Sequence, residues 1–308
     1  MRLRVSACGG VFAVDGQVVW DDYLDHRQFL LGTDTDEVMR WFLRWRDRDS
    51  VPERLRPSRD ALLANDVLVA EGSQRDAQEQ AVLHAWGQWG PITRAYHYST
   101  RTTRDTRFLD PVLPADALDP VSAFRHTERI PLPSADQAQW RHRDLLDVLR
   151  LRGDHRQFGG GPLPLAALGA LLQVSAVNST ELYVAVRDVE GLNGGVYHYD
   201  CRSHELALVG DAVADDDLVA ACGDQPWVAE AALAVFYTSV VRDHDLPRAY
   251  RMLQLDAGHV NQTLSLTATA LGLRTTFTAA IRDELVEELI GCDPATEFAI
   301  GCALIGTV

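Results

Sequence analysis

The stretch YRMLQLDAGHVNQTLSLTATA, residues 250–270, constrains the fold more than any other part of the chain. It holds no proline, reads as one unbroken helix, and ends at Leu271-Gly272-Leu273, where Gly272 supplies the left-handed cap. At 1.5 Å per residue such a helix is roughly 30 Å long, so the neighbouring elements must be built around it. Those neighbours read as short strands and helices. Glu181–Arg187 and Gly195–Tyr199 form strands joined by a Gly/Asn turn, Thr275–Ala280 a strand, Asp283–Leu289 a short helix and Glu297–Ile305 a last strand. Leu145–Leu151 and Leu165–Leu172 read as helices, and Ala229–Val241 as an apolar helix or buried segment. Strands and helices alternate without a regular βαβ repeat, which argues for an α+β rather than a doubly wound fold.

Residues 1–100 read as a separate α+β unit. Arg2–Trp20 alternates around Asp15-Gly16 and predicts a β-hairpin. Helices are expected over Asp34–Arg46 and Pro57–Ala64, and VLVAEG reads as a strand. Ser73 to Asp76 is a capping-box start for a further helix. A hairpin, helices and another strand suit a winged-helix-like domain. The arginines at 40, 44, 46, 48, 54, 56 and 59 are interrupted by acids and read as a solvated face. Residues 101–139, with Pro111, Pro114, Pro120, Pro131 and Pro133, read as a linker or wrapping arm before a domain over 140–308.

Composition narrows the function. A net charge of −15 argues against nucleic acid and anionic membrane as partners. No apolar run reaches the roughly 20 residues a membrane span needs, and MRLRVSACGG lacks a signal-peptide core, so a cytoplasmic location is expected. Cys8, Cys201, Cys222, Cys292 and Cys302 are scattered with no CxxC pair, so no metal site is expected and buried free thiols are. The chain contains no lysine, which rules out a Schiff-base lysine and a Walker-type phosphate loop. His259 reads as a core histidine within the long helix, Tyr197, His198 and Tyr199 as strand packing, Asp215-Asp216-Asp217 as an acidic loop, and Gly159-Gly160-Gly161-Pro162 as a turn.

Four stretches resemble the nitroreductase superfamily, and within it the SagB/McbC type of flavin-dependent peptide dehydrogenase. They are RGDHRQF (152–158), ELYVAVRDVEGLNGGVYHYD (181–200), RAYRMLQLDAGHVNQTLSLTATALGL (248–273) and IRDELVEELIGCDPATEFAIGCALIG (281–306). HAWGQWG (84–90) is similar to the domain that precedes such dehydrogenases. The resemblance implies a nitroreductase-like fold, a flavin mononucleotide (FMN) cofactor at a subunit interface, and oxidation of azolines on a precursor peptide. It implies a homodimer, or a heterodimer with a related subunit.

Residue by residue, the resemblance places Arg152 and Arg156 on the flavin phosphate, Ser175 and Asn178 near the flavin, and Arg248 at a flavin or substrate contact. The family's phosphate motif is Arg-x-Ser-x-Arg; here Asp154 stands at the serine position. A carboxylate there repels phosphate, or pairs with the two arginines. The loop that carries a further arginine before Ser175-Ala176 is shortened. The Lys-Tyr pair expected before Arg-x-Tyr-Arg falls on His244 and Asp245, which makes His244 the candidate base beside an acid. Two functions stay open: an FMN-dependent peptide dehydrogenase, and a flavin-free scaffold or partner subunit on the same fold.

Overall fold

A computed structural model describes residues 1–102, 127–141, 144–176, 179–240 and 248–308. Residues 1–102 with Arg248 make one compact unit, and the remaining described residues make a second.

The first unit runs β1 (Arg2–Val5), β2 (Gly9–Val14), β3 (Gln17–Asp22), β4 (Arg27–Leu30), α1 (Thr33–Trp41), β5 (Arg46–Asp47), α2 (Arg56–Ala64), β6 (Leu68–Ala70), α3 (Gln74–Trp86) and α4 (Gly90–Ser99). The hairpin expected over Arg2–Trp20 is β2–β3, extended by β4. Its turn, Asp15-Gly16, holds both residues at positive φ, 49° and 74°, the handedness that matches strand twist. β1 leaves the hairpin and pairs antiparallel between β5 and β6. The helix expected over Asp34–Arg46 stops at Trp41, because Arg46 is taken up opposite Leu3 in the β1–β5 ladder. Ser73 caps α3 by accepting from Asp76 N–H at 3.1 Å, while the Asp76 carboxylate reaches Gly72 N–H at 3.0 Å rather than closing the box on Ser73.

Leu3, Trp20, Val38, Phe42, Leu55, Leu62 and Leu68 form the core of this unit. Beside it lies a buried charge network. Arg75 donates to Asp22 at 2.8 Å, Asp25 at 2.9 Å and Glu79 at 3.1 Å, and Arg4 pairs with Asp76 and Glu79. Those carboxylates hold Arg75 well above its ordinary pKa although burial opposes it. Of the arginines expected on a solvated face, Arg40, Arg54 and Arg56 are exposed, but Arg59 is buried, donating to the Arg48 carbonyl at 3.0 Å and to Asp60.

The second unit runs β7 (Arg129–Pro131), α5 (Leu145–Leu151), α6 (Leu165–Ser175), β8 (Glu181–Val186), β9 (Gly195–Asp200), β10 (Glu205–Gly210), α7 (Asp215–Ala221), β11 (Leu233–Val240), α8 (Ala249–Leu271), β12 (Arg274–Thr278), α9 (Asp283–Ile290) and β13 (Glu297–Gly306). Its seven strands form one antiparallel sheet in the order β12-β13-β11-β8-β9-β10-β7. Period-2 alternation divides each strand between two cores. Leu182, Val184, Tyr197, Tyr199, Val235 and Tyr237 pack against α6 and α8. Tyr183, Ala185, Val196, Phe236 and Cys302 face α7 and α9.

Helix α8 ends in a Schellman motif. Leu273 N–H donates to Ala268 O at 2.8 Å and Gly272 N–H to Thr269 O at 2.9 Å, with Gly272 at φ +74°. Two expectations are sharpened here, and one, the acidic loop at Asp215-Asp216-Asp217, is corrected. The apolar run 229–241 contains a strand, β11, buried on both faces, where continuous hydrophobicity hides the period. Asp215-Asp216-Asp217 is the first turn of α7, where carboxylates meet the positive end of the helix dipole. The Pro-rich arm contributes β7, which pairs with β10 at the sheet edge. Among the described residues no helix is long and apolar enough to cross a membrane.

Candidate functional site

Residues 152–161 run along one edge of the large sheet. Arg152 closes α5, its N–H donating to Val148 O at 2.9 Å. The chain then extends beside β12: His155 N–H donates to Thr275 O at 3.0 Å, and Arg274 donates to Gln157 O at 3.0 Å. Gly159 pairs with Thr307 at 2.8 Å; a Cβ there would meet the Val308 carbonyl oxygen at 2.4 Å, so only glycine fits. Arg152, Asp154 and Arg156 are exposed. Asp154 makes no ion pair with either arginine among the described residues, so the pairing that would neutralise all three is not formed. Arg156 lies over the Trp227 ring, 5.4 Å from its centroid. Stacking uses the face of the guanidinium and leaves its in-plane N–H donors for an anion.

Ser175 is the last residue of α6 and is 1% exposed. The helix expected to stop at Leu172 runs three residues further, which carries Ser175 into the core. Among the described residues its Oγ has no hydrogen-bond partner, and neither has Thr275 Oγ1 on β12. A buried hydroxyl without a partner costs about 1–3 kcal/mol. Nearby in sequence, Ser179 Oγ donates to Asp256 Oδ2 on α8 at 2.7 Å, and Ser239 Oγ donates to Ser179 O at 3.0 Å. Tyr237 OH donates to Asn261 Oδ1 at 3.3 Å. An open groove of about 580 Å³ lies between α5, α6 and α8, lined by Trp140, Leu145, Val148, Val174, Thr263 and Leu266.

On the opposite face of the sheet a second polar group is closed. Register brings Tyr183 opposite His198 and Glu181 opposite Thr238. His198 Nε2 lies 3.0 Å from Glu181 Oε2. Glu297 accepts from Tyr183 OH at 3.2 Å and from Thr238 Oγ1. Burial raises the Glu297 pKa; the Thr238 hydrogen bond opposes this and the nearby Glu181 charge adds to it. Burial and then the Glu297 charge raise Tyr183, and the same two causes push the Cys292 thiol up to about 12.

Of the residues assigned from sequence, Arg152, Arg156, Ser175 and Arg248 are described; His244, Asp245 and Asn178 lie outside the described residues. No hydrogen bond or ion pair joins Arg152, Arg156 and Ser175 to one another among the described residues. Arg248 Nη1 lies 3.5 Å from Thr100 O, at the limit of a hydrogen bond. His259 is corrected: its side chain is 78% exposed, 3.9 Å from Asp256 Oδ1, because it falls on the outward stripe of α8. Cys8, Cys222 and Cys302 are buried free thiols as expected, but Cys201 is exposed. Ser179, Asp256 and the Glu181–Glu297 group went unnoticed in the sequence. A polar residue at an inward position of an apolar strand, as Glu181 is in ELYVAV, is the signal that marks such a group.

The sequence profile described as the Nitroreductase family matches residues 149–307, more than half of the chain. The chain belongs to the nitroreductase family. Among curated relatives of this nitroreductase-family protein, one of Methanocaldococcus jannaschii, itself named for the nitroreductases, is 29% identical over 184 residues, 53% of this chain and 90% of that protein. The trifolitoxin-processing protein TfxB of Rhizobium leguminosarum bv. trifolii is 27% identical over 197 residues, 59% of this chain. A solved structure from Anabaena variabilis, also named for the nitroreductases, superimposes with a TM-score of 0.59 at 24% identity over 71% of this chain. That likeness shows the fold. The chain spans 50% of TfxB and 47% of the Anabaena protein.

Proposed function

We propose that this nitroreductase-family protein is an FMN-dependent dehydrogenase that oxidises an azoline or related group on a precursor peptide. The observation that carries the flavin part is the end of α6, where the Ser175 hydroxyl is buried, in a family member, with no partner among the described residues. The peptide part is supported by the resemblance to peptide dehydrogenases and by the relative named for trifolitoxin processing.

The residues fit the flavin. Arg152 is exposed with no carboxylate partner among the described residues, and Arg156 offers its in-plane donors from its stack on Trp227. Both suit phosphate oxygens, since the guanidinium fork matches them. Ser175, with Asn178, would meet the flavin and supply the missing hydrogen bond, and Arg248 would contact flavin or substrate. Flavin bound there would supply the acceptor for the hydride equivalent that the azoline ring gives up. This chain's own part is to hold the cofactor and take the proton. We assign that base to His244 beside Asp245; it must sit within hydrogen-bond reach of the departing proton. The apolar side chains exposed on α5 and α8, among them Leu145, Leu149, Met252 and Leu255, favour a second subunit, identical or related.

One observation favours a second function, a flavin-free scaffold or partner subunit. Asp154, which lies in sequence between the two arginines that we assign to the flavin phosphate, stands exposed with no ion pair among the described residues. The visible spectrum of the purified chain, with and without added FMN, separates the two. A yellow protein with near-stoichiometric flavin is expected. A chain that stays colourless and ignores added FMN leaves only the scaffold, and co-elution with an active relative then tests that role.

A further inference from the structure

Sheet edges invite pairing by other chains, and proteins blunt them with charge, proline, bulges, shortness or cover. Five of the six edges among the described residues are blunted. In the large sheet, β7 is three residues long and carries Arg129 and Pro131, and β12 is covered by the segment that hydrogen-bonds through His155. In the first unit, β5 is two charged residues, β6 has three residues, and β4 has four and begins with Arg27. The exception is β2. Its six residues, GGVFAV, include no charge and no proline. Its register with β3 runs without a bulge from Gly9↔Asp22 to Val14↔Gln17.

The two-residue turn makes Val14 and Gln17 a hydrogen-bonded pair. Alternation then makes Ala13↔Val18 and Val11↔Trp20 non-bonded pairs, whose backbone groups point away from each other. Val18 agrees: its carbonyl accepts from Leu31 N–H on the β4 side at 2.9 Å. The N–H and C=O groups of Val11 and Ala13 therefore face outward along the free edge. Apolar side chains border that edge on both faces. Phe12 and Leu30 flank Val19 in one cross-strand row and are 55% and 66% exposed, and Val11, Val14 and Val18 are about half exposed.

We propose that the β2 edge binds an extended segment of a partner polypeptide as an added strand, one with apolar residues in its centre and basic residues at its flanks. Strand addition takes affinity from main-chain hydrogen bonds and specificity from the alternate side chains. Charge selects the occupant. Around that edge Asp15 and Asp21 make no ion pair among the described residues, whereas Asp22 and Asp25 are already paired with Arg27 and Arg75. A second copy would bring the same two unpaired acids and its own net charge of −15 to the edge, whereas a basic flank complements them. Size agrees. Six residues span roughly 20 Å, the length of a short added peptide strand. Nothing in this inference depends on flavin.

Panning a random phage-displayed dodecapeptide library on the full chain tests it, followed by fluorescence anisotropy with the enriched peptides made synthetically. The enriched peptides are expected to centre on apolar residues, to carry flanking Arg or Lys, and to bind at least tenfold more weakly to Ala13→Pro. That change removes an outward N–H and leaves the β2–β3 ladder intact; Val11→Lys is the alternative if the proline variant does not fold. Amide exchange at Val11 and Ala13 slows when peptide is bound. The proposal is overturned if no peptide enriches, or if the enriched peptides bind both folded variants as tightly as wild type. It is equally overturned by self-association of the wild type that Ala13→Pro abolishes, since the occupant is then a second copy.

Discussion

The two faces of the seven-stranded sheet treat buried polar side chains differently. On the α7/α9 face, His198 meets Glu181, and Tyr183 and Thr238 both meet Glu297. On the α6/α8 face, Ser175 sits at the end of α6, and Thr275 lies opposite Ile305, a residue of that core. Both hydroxyls are buried without a partner among the described residues. The paired carboxylates of the first group fix strand register, although His198 Nδ1 is buried there with no hydrogen bond among the described residues, whereas an unsatisfied hydroxyl costs stability unless something outside the chain completes it. The difference supports a structural role for the carboxylates of one face and the proposed cofactor role for the hydroxyls of the other, although the first face carries the more conspicuous acid–histidine pair.

Mutation of the first face should have the largest effect. Glu297→Ala removes the acceptor that the Tyr183 and Thr238 hydroxyls share and should cost about 2–3 kcal/mol in urea denaturation, with flavin binding unchanged in the folded fraction. A loss below 0.5 kcal/mol (~0.5 being the level of an ordinary surface substitution) would make this face no more structural than the other. Asp154→Ser acts on the cofactor side. Removing a unit charge at about 4 Å in water is worth roughly 1 kcal/mol, so FMN should bind about fivefold tighter. Unchanged affinity would place the phosphate away from residue 154.

The smallest effect is on pH dependence. Glu297 has its pKa raised in the folded state, mainly by burial. Its contribution to stability is therefore fully present below the unfolded carboxyl pKa and is lost as pH rises through the raised value. Wild type should lose stability across that interval just above the ordinary glutamate range. Glu297→Gln, which cannot titrate, should flatten that part of the curve in denaturation midpoints measured from pH 4 to 7. An unchanged slope would assign it to other groups.

Elements with a local signature were legible in the sequence. Helix α8 with its Gly272 stop, α5 at Leu145–Leu151, and the Asp15-Gly16 turn all depend on neighbours within a few residues. What failed depends on distant ones. Strand β11 gives no period because both of its faces are buried. β10 was not read at all, and β7 lay hidden among prolines because pairing with β10 decides its state. His259 falls outward through the phase of α8, which apolar content alone does not give. The site divides in the same way. Arg152 and Arg156 came from a motif of seven residues, while the Glu181–His198 and Tyr183–Glu297 contacts join residues 17 and 114 positions apart through sheet register. That Ser175 is unsatisfied is a property of its packing, which no pattern of letters records.

Thermal denaturation of wild type and Ser175→Ala, each with and without FMN, tests the contrast between the two faces most directly. Without flavin, Ser175→Ala should be at least as stable as wild type, because it removes a buried hydroxyl that has no partner among the described residues. With saturating FMN, wild type should gain the larger rise in melting temperature, since only its hydroxyl is completed by the ligand. A Ser175→Ala variant that is less stable without FMN, yet shows the same rise with it, would contradict the account.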